Sequence, residues 1–351
     1  MPPSQPIASP VAVEVTRGQS PDNAFVESRH RAACAVVKAD GTVLHGWGDI
    51  DQLVFPRSAI KPIQALPLVE TGAADAFNFS AAEISLACAS HNSEDRHINT
   101  VTDVLGRIGL SVDALECGPQ VSTIPDIAMK KIGEGVTASR LRNNCSGKHA
   151  GFLTTAVHMG EDPAGYIGID HPVQKRLFET VSEMCDVDVT GAPWGNDGCS
   201  IPALALPLHS LARGMANMAD PSGLGEVRAK ASERIVHSVA KEPFMMAGTG
   251  RFCTAMNTAL KGKGIVKTGA EGVMMVASPA LKLGIALKIE DGDKTHGANG
   301  VALAAVLRHI GLLDDDAAAT IRNYLELPVK DLNGNVVGSV RAGDDWPVSK
   351  S

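Results

Sequence analysis

Pro56-Arg57-Ser58-Ala59-Ile60-Lys61-Pro62-Ile63-Gln64-Ala65-Leu66 is the stretch on which the fold turns. Its apolar residues recur at helical spacing, and residues three apart on a helix share a face, so the Ser58 hydroxyl and the Lys61 amine are expected to meet. Pro62 falls in the opening turn, where N–H groups lack intrahelical partners anyway. A free lysine is protonated near neutrality. Burial and a second nearby cation both disfavour the ammonium, which makes Lys61 a candidate base and Ser58 a candidate nucleophile. Taken alone, the same residues also read as a capping serine followed by a lysine whose stem covers apolar surface.

Two pieces further along change that balance. Ser80-Ala81-Ala82-Glu83 is a capping box that starts a helix. Ser90-His91-Asn92 follows it in a loop, ahead of a further helix at about 94–108. Ser90 would relay a proton there, and Asn92 would hold substrate through its amide. Capping is the plainer role for Ser90 and Asn92, and His91 also reads as an ordinary loop histidine. Far downstream, Gly264-Ile265-Val266-Lys267-Thr268-Gly269 reads as a short strand that presents Lys267 and Thr268 into a cleft, with Gly269 keeping the backbone open to a ligand. An exposed lysine at a strand end is the alternative. The ordered set S-x-x-K, S-x-N, K-T-G is the signature of serine acyl-transfer enzymes built like penicillin-binding proteins and class A β-lactamases. Lys267 would be the second cation acting on Lys61, and Arg57 could steady a substrate carboxylate.

The expected layout is strands, helices, strands. Residues 33–47 read as a hairpin through Asp40-Gly41. Helical patterns cover 148–158, 172–185, 204–217 and 225–241. Strands return at 264–269, 272–277 and 283–289. Helices at 299–310 and 315–325 and a hairpin at 329–340 through Asn333-Gly334 close the chain. This predicts an α+β fold, an antiparallel sheet flanked by a helical region, of the serine β-lactamase/penicillin-binding-protein kind. Residues 1–10 (MPPSQPIASP) are expected to be a frayed tail. Residues 11–57 and 262–351 would form the sheet part of a single unit, and 58–261 the mainly helical part.

With 351 residues, 44% hydrophobic and 20% charged, the composition is that of a globular protein with a large core. A net charge of −7 gives no electrostatic support to a nucleic-acid partner. No run of about 18 apolar residues marks a membrane span. The opening residues lack a basic-then-apolar signal pattern. The seven cysteines (34, 88, 117, 145, 185, 199 and 253) form no tight framework and read as reduced thiols of a cytoplasmic protein.

A fourth cluster is less easily read. Asn143-Asn144-Cys145-Ser146-Gly147-Lys148-His149 opens one helix, and Gly195-Asn196-Asp197-Gly198-Cys199-Ser200 makes a glycine-rich loop. Two cysteines and a histidine suit zinc, yet C-x-x-K is not ordinary metal spacing. Buried structural thiols, or a Cys145–His149 nucleophile pair, remain open on spacing alone.

The segments FPRSAIKPIQALPLVETGAAD, LACASHNSEDRH, LRNNCSGKHAGFL, WGNDGCSIPALALPL and IVKTGAEG together resemble the Rhizobium etli-type (class 3) L-asparaginases of the asparaginase II family. The likeness runs from about residue 11 to about residue 341. It implies the fold of serine β-lactamases and glutaminases and a homodimeric working unit. It implies two serine–lysine pairs, Ser58 with Lys61 and Ser90 with Lys267. It further implies a zinc ion held by Cys145, Lys148 and Cys199 with a water, His149 and Asp197 standing around it. Arg57, His91, Asn92, His149, Asp197 and Thr268 are then the candidate substrate contacts. The expected reaction is hydrolysis of L-asparagine to L-aspartate and ammonia, with Ser58 favoured over Ser90 as nucleophile and zinc positioning substrate. A glutaminase or other serine acyl hydrolase of this fold, or a non-catalytic amino-acid sensor, is the alternative.

Overall fold

The strand Phe25–Lys38 is the backbone of the architecture. Its first half alternates between exposed and half-buried residues, as a strand with one wet face does. From Ala32 to Val37 every residue is buried, because both faces are covered. Ala33, Ala35 and Val37 pack into one hydrophobic cluster, while Ala32, Cys34 and Val36 pack into a second on the other side. That two-residue alternation is the strand period made visible.

The computed structural model describes residues 8–293 and 297–347. Among these, eight strands form one antiparallel sheet. Its order runs Leu327–Lys330, Val336–Ala342, Val11–Arg17, Phe25–Lys38, Leu283–Ile289, Val273–Ser278 and Ile265–Thr268, with Val43–Trp47 paired to Phe25–Lys38 off this path. Ile265–Thr268 is therefore at the sheet edge, paired with the one strand Val273–Ser278 and capped on its free side by the Asn257 side chain. In that register Ile265 belongs to the first cluster and Val266 to the second. Lys267 shares the face of Ile265 and is turned toward the helical region.

That region stacks on the first face. The helix Leu208–Ala219 lies directly against the sheet, and a methyl group at Gly284 would stand 1.9 Å from the Ala212 carbonyl oxygen. Only a residue without Cβ allows this approach. Ala81–Ala87, Ser146–His158, Pro172–Cys185 and Glu226–Lys241 complete the layer. Ala298–His309 packs on the opposite face.

The α+β plan is as the sequence predicts, and the helix Pro172–Cys185 has the expected bounds. Three differences have local causes. The helix expected from Ser58 is broken into a 3₁₀ turn Arg57–Ile60 and the short helices Lys61–Gln64 and Leu66–Glu70, because Pro62 and Pro67 have no N–H to donate to the preceding turn. The helix expected from residue 204 starts at Leu208, since Pro202–Leu204 and Leu206–Pro207 pair as short strands. Of the expected frayed stretch, residues 1–7 lie outside the described range. Residues 9 and 10 are tied down, as Ser9 O accepts from Arg31 and Pro10 O accepts from the Ala32 N–H.

Candidate active site

Ser90 sits where three segments meet. Its loop follows the helix Ala81–Ala87, whose capping box Ser80–Glu83 is formed as expected. The Ser90 and Asn92 N–H groups donate to Met246 O (3.0 Å) and Ala247 O (2.9 Å), and the His91 N–H donates to Asn144 O (3.1 Å). Stitched on both sides, the loop holds Ser90 Oγ 3.0 Å from Lys61 Nζ and 3.0 Å from Lys267 Nζ. Both lysines are buried.

The two amines are not equivalent. Lys61 Nζ also donates to Ala89 O and Cys145 Sγ (3.1 Å), so with Ser90 it has three acceptors for its three hydrogens. Lys267 Nζ has Ser90 Oγ and Thr268 O (2.6 Å). Burial, with Lys61 and Arg251 nearby, pulls the Lys267 ammonium down to about 7. The sequence pointed to Lys61 as the amine that loses its charge; in the structure burial makes Lys267 a candidate neutral amine beside the same hydroxyl.

Ser58 stands differently from Ser90. Arg57 precedes it with φ +50°, the left-handed region that bulky residues rarely adopt. Among the described residues neither the Ser58 N–H nor its Oγ has a hydrogen-bond partner, so the expected Ser58–Lys61 bond is not formed. Ser58 is half-buried, whereas Ser90 is 6% exposed. A methyl group at Gly269 would lie 2.7 Å from Pro56 O and 3.1 Å from Ala59 N. The glycine of K-T-G thus admits the Ser58 turn against the strand, where ligand access was expected.

The candidate substrate contacts divide into free and committed groups. His91 is fully buried; the Ser93 N–H donates to its Nδ1 (3.1 Å), so Nε2 carries the hydrogen and donates to Ser146 Oγ (2.9 Å). Burial holds its pKa well below the usual value, and no edge is left for a ligand. Asn92 is likewise spent: Nδ2 donates to Thr249 O (3.0 Å), and Oδ1 accepts from Arg251 Nη1 (2.7 Å). Thr268 is flanked by Cys253, whose thiol donates to Oγ1 (3.3 Å) and accepts from its N–H (3.2 Å). Arg57 Nε pairs with Asp197 Oδ1 at 2.6 Å. Although burial opposes it, Lys148 and Arg57 hold Asp197 at about 2. His149 bonds Tyr166 OH through Nδ1, while its buried Nε2 has no partner.

Cys145 and Lys148, from the start of the helix Ser146–His158, converge with Cys199 from the glycine-rich loop. Lys148 Nζ lies 2.9 Å from Cys199 Sγ, and Cys145 and Cys199 are close enough that their thiols compete for a shared proton bond. That bond, with Lys148 beside it, lowers Cys199 to about 5 despite burial, and it raises Cys145 to about 12. Among the described residues no three His, Cys, Asp or Glu side chains gather as a metal-holding group; this set depends on the amine as third donor. A buried thiolate, a thiol and an amine in mutual reach fit a zinc ion, provided that metal replaces the protons on Cys145 and Lys148.

Arg251 and Cys253 were missed in the sequence. The signal for Arg251 was its position just before the helix Phe252–Leu260, where a cation opposes the helix dipole and rarely serves as cap.

A family model described as L-asparaginase II matches residues 13–342. Among curated proteins none matches the chain. Among solved structures, the chain is similar to a crystal structure of Mglu at 15% identity and TM-score 0.45, covering 82% of this chain and 63% of that one. It is also similar to a putative β-lactamase from Bacteroides dorei at 15% identity and TM-score 0.39, covering 74% and 84% of the two chains. A β-lactamase from Mycobacterium bovis is similar at 12% identity and TM-score 0.37, covering 84% and 95%.

Proposed function

The chain belongs to the asparaginase II family, a family of amide-hydrolysing enzymes, and from that premise we propose that it converts L-asparagine to L-aspartate and ammonia through an ester on Ser58. The observation that carries this reading is the Ser90 hydroxyl held at 3.0 Å by two buried lysines, one of them titrating near neutrality. The choice of Ser58 as nucleophile rests on its unbonded N–H, which is available to an oxyanion. The Ser90 N–H is already given to Met246 O.

In this mechanism a proton of Lys61 moves to Ser90 Oγ as the Ser90 proton moves to neutral Lys267. Lys61 is left with a lone pair and takes the Ser58 proton while Ser58 Oγ attacks the side-chain amide carbon. The Ser58 N–H receives the developing oxyanion, a contribution of roughly 3 kcal/mol in comparable sites. Lys61 passes the proton it took from Ser58 to the departing nitrogen, which leaves as ammonia. Neutral again, Lys61 takes a proton from the water that attacks the ester and returns it to Ser58 Oγ as L-aspartate departs, after which the relay reverses and restores the starting state.

Cys145, Lys148 and Cys199 would hold a zinc ion, which when bound supplies a fixed positive charge that ties the helix Ser146–His158 to the loop at Cys199. Arg57 and Asp197 orient each other beside it. A homodimer is proposed as the working unit, which light scattering tests.

The test is ammonia release from L-asparagine, L-glutamine and a β-lactam, together with intact-mass trapping of the acyl-enzyme. L-asparagine should be turned over fastest. Ser58→Ala should fold, lose turnover and show no adduct, while Ser90→Ala should still form the adduct slowly. An active Ser58→Ala enzyme would move the nucleophile to Ser90.

A further inference from the structure

Five cations surround the two serines, and four are committed. Arg57 is ion-paired with Asp197, Lys148 faces Cys199, Lys61 has three acceptors, and Lys267 is bound to Ser90 Oγ and Thr268 O. Arg251 is the exception. Its Nη1 donates to Asn92 Oδ1 (2.7 Å) and the Ser90 carbonyl (3.3 Å). Among the described residues it has no carboxylate partner, and its Nε and Nη2 make no hydrogen bond. It is half-buried, so the charge is partly withdrawn from water without a direct ion pair, the nearest carboxylate, Glu94, reaching it only through Asn92.

The surroundings fix this guanidinium firmly. Asn92 is itself held by Thr249 O, and the Thr249 N–H and hydroxyl both donate to Glu94, at 2.7 and 2.8 Å. The residues 248–250 are thereby locked, and Arg251 starts the helix Phe252–Leu260 from a place that helix energetics disfavour for a cation. An arginine positioned by Asn92 and the Ser90 carbonyl, and without a direct ion pair, is arranged for an incoming planar anion.

We infer that Arg251 takes the α-carboxylate of the substrate, and that Asn92 is the residue that positions it. The inference rests on the asparagine reading above and adds the group that distinguishes an amino acid from a simple amide.

The experiment compares L-asparagine with β-alaninamide, which has the same amide and amine spacing but no α-carboxylate. In the wild-type enzyme kcat/KM should favour L-asparagine. Arg251→Gln should reduce that preference by about thirty-fold or more, chiefly through KM, and Arg251→Lys should restore part of it. Binding of L-aspartate to the Ser58→Ala protein, followed by calorimetry, should weaken by a similar factor on adding Arg251→Gln. β-Alanine binding should show no such loss. An unchanged preference in Arg251→Gln, or equal losses for both ligands, overturns the inference while leaving the asparaginase reading intact. A wild-type enzyme without L-asparagine turnover removes both.

Discussion

Lys267 Nζ, buried on the face it shares with Ile265, has its ammonium pulled down to about 7 by burial. In the proposed mechanism its neutral form is the relay acceptor, so kcat/KM for L-asparagine is expected to rise with pH through about 7, and a pH–rate profile checks it. The stability sign follows from the same shift. Below about 7 both folded and unfolded chains carry this proton; between about 7 and 10.5 only the unfolded chain does. Stability therefore gains from this residue as pH rises across that window, and at neutral pH the buried lysine is a net penalty. Lys267→Met should lose turnover by about a thousand-fold or more and yet raise stability at pH 7 by roughly 1–3 kcal/mol, after deducting the bonds to Ser90 Oγ and Thr268 O. Denaturant melts of the two proteins test this; a destabilised variant would show that Lys267 is better satisfied than its burial implies.

The sheet and the helix Leu208–Ala219 depend on one close approach. At Gly284 a methyl group would meet Ala212 O at 1.9 Å and Ala216 N at 2.1 Å, both backbone atoms. Gly284→Ala should destabilise the fold by about 3 kcal/mol, visible as a lower urea midpoint. Ser80→Ala removes the capping box of Ala81–Ala87 and should lower stability by about 1 kcal/mol, read by the same measurement. Elements with local signals were legible: Ser80–Glu83, Pro172 at a helix start and Asn333-Gly334 in a turn all act within a few residues. Elements decided by tertiary pairing were not. Val11–Arg17 is held between Phe25–Lys38 and Val336–Ala342, and the second of these lies at the other end of the chain, too far for a local pattern to show. The site divides the same way. Ser58, Ser90 and Lys267 could be read from ordered motifs, but which lysine each hydroxyl meets depends on how the loop at Ser90 is stitched to Met246. No spacing within the sequence encodes that, nor the isolation of Arg251.

Across the whole molecule, a string of polar side chains runs from the sheet edge to the glycine-rich loop: Lys267, Ser90, Lys61, Cys145, Cys199 and Lys148. Zinc added to metal-free protein should raise Tm in the wild type and have little effect in Cys199→Ser, measured by differential scanning fluorimetry. An equal rise in both would place the metal elsewhere. Because Lys61 touches Ser90 with one hydrogen and Cys145 with another, the cysteine end and the hydroxyl end share a single intermediary. Thermodynamic reciprocity then applies: any change that occupancy at Cys145 makes in product affinity must appear, with equal size, as a change in metal affinity when product binds. An amino acid held at the serines would be read out, several ångströms away, in how tightly the thiolates keep their ion.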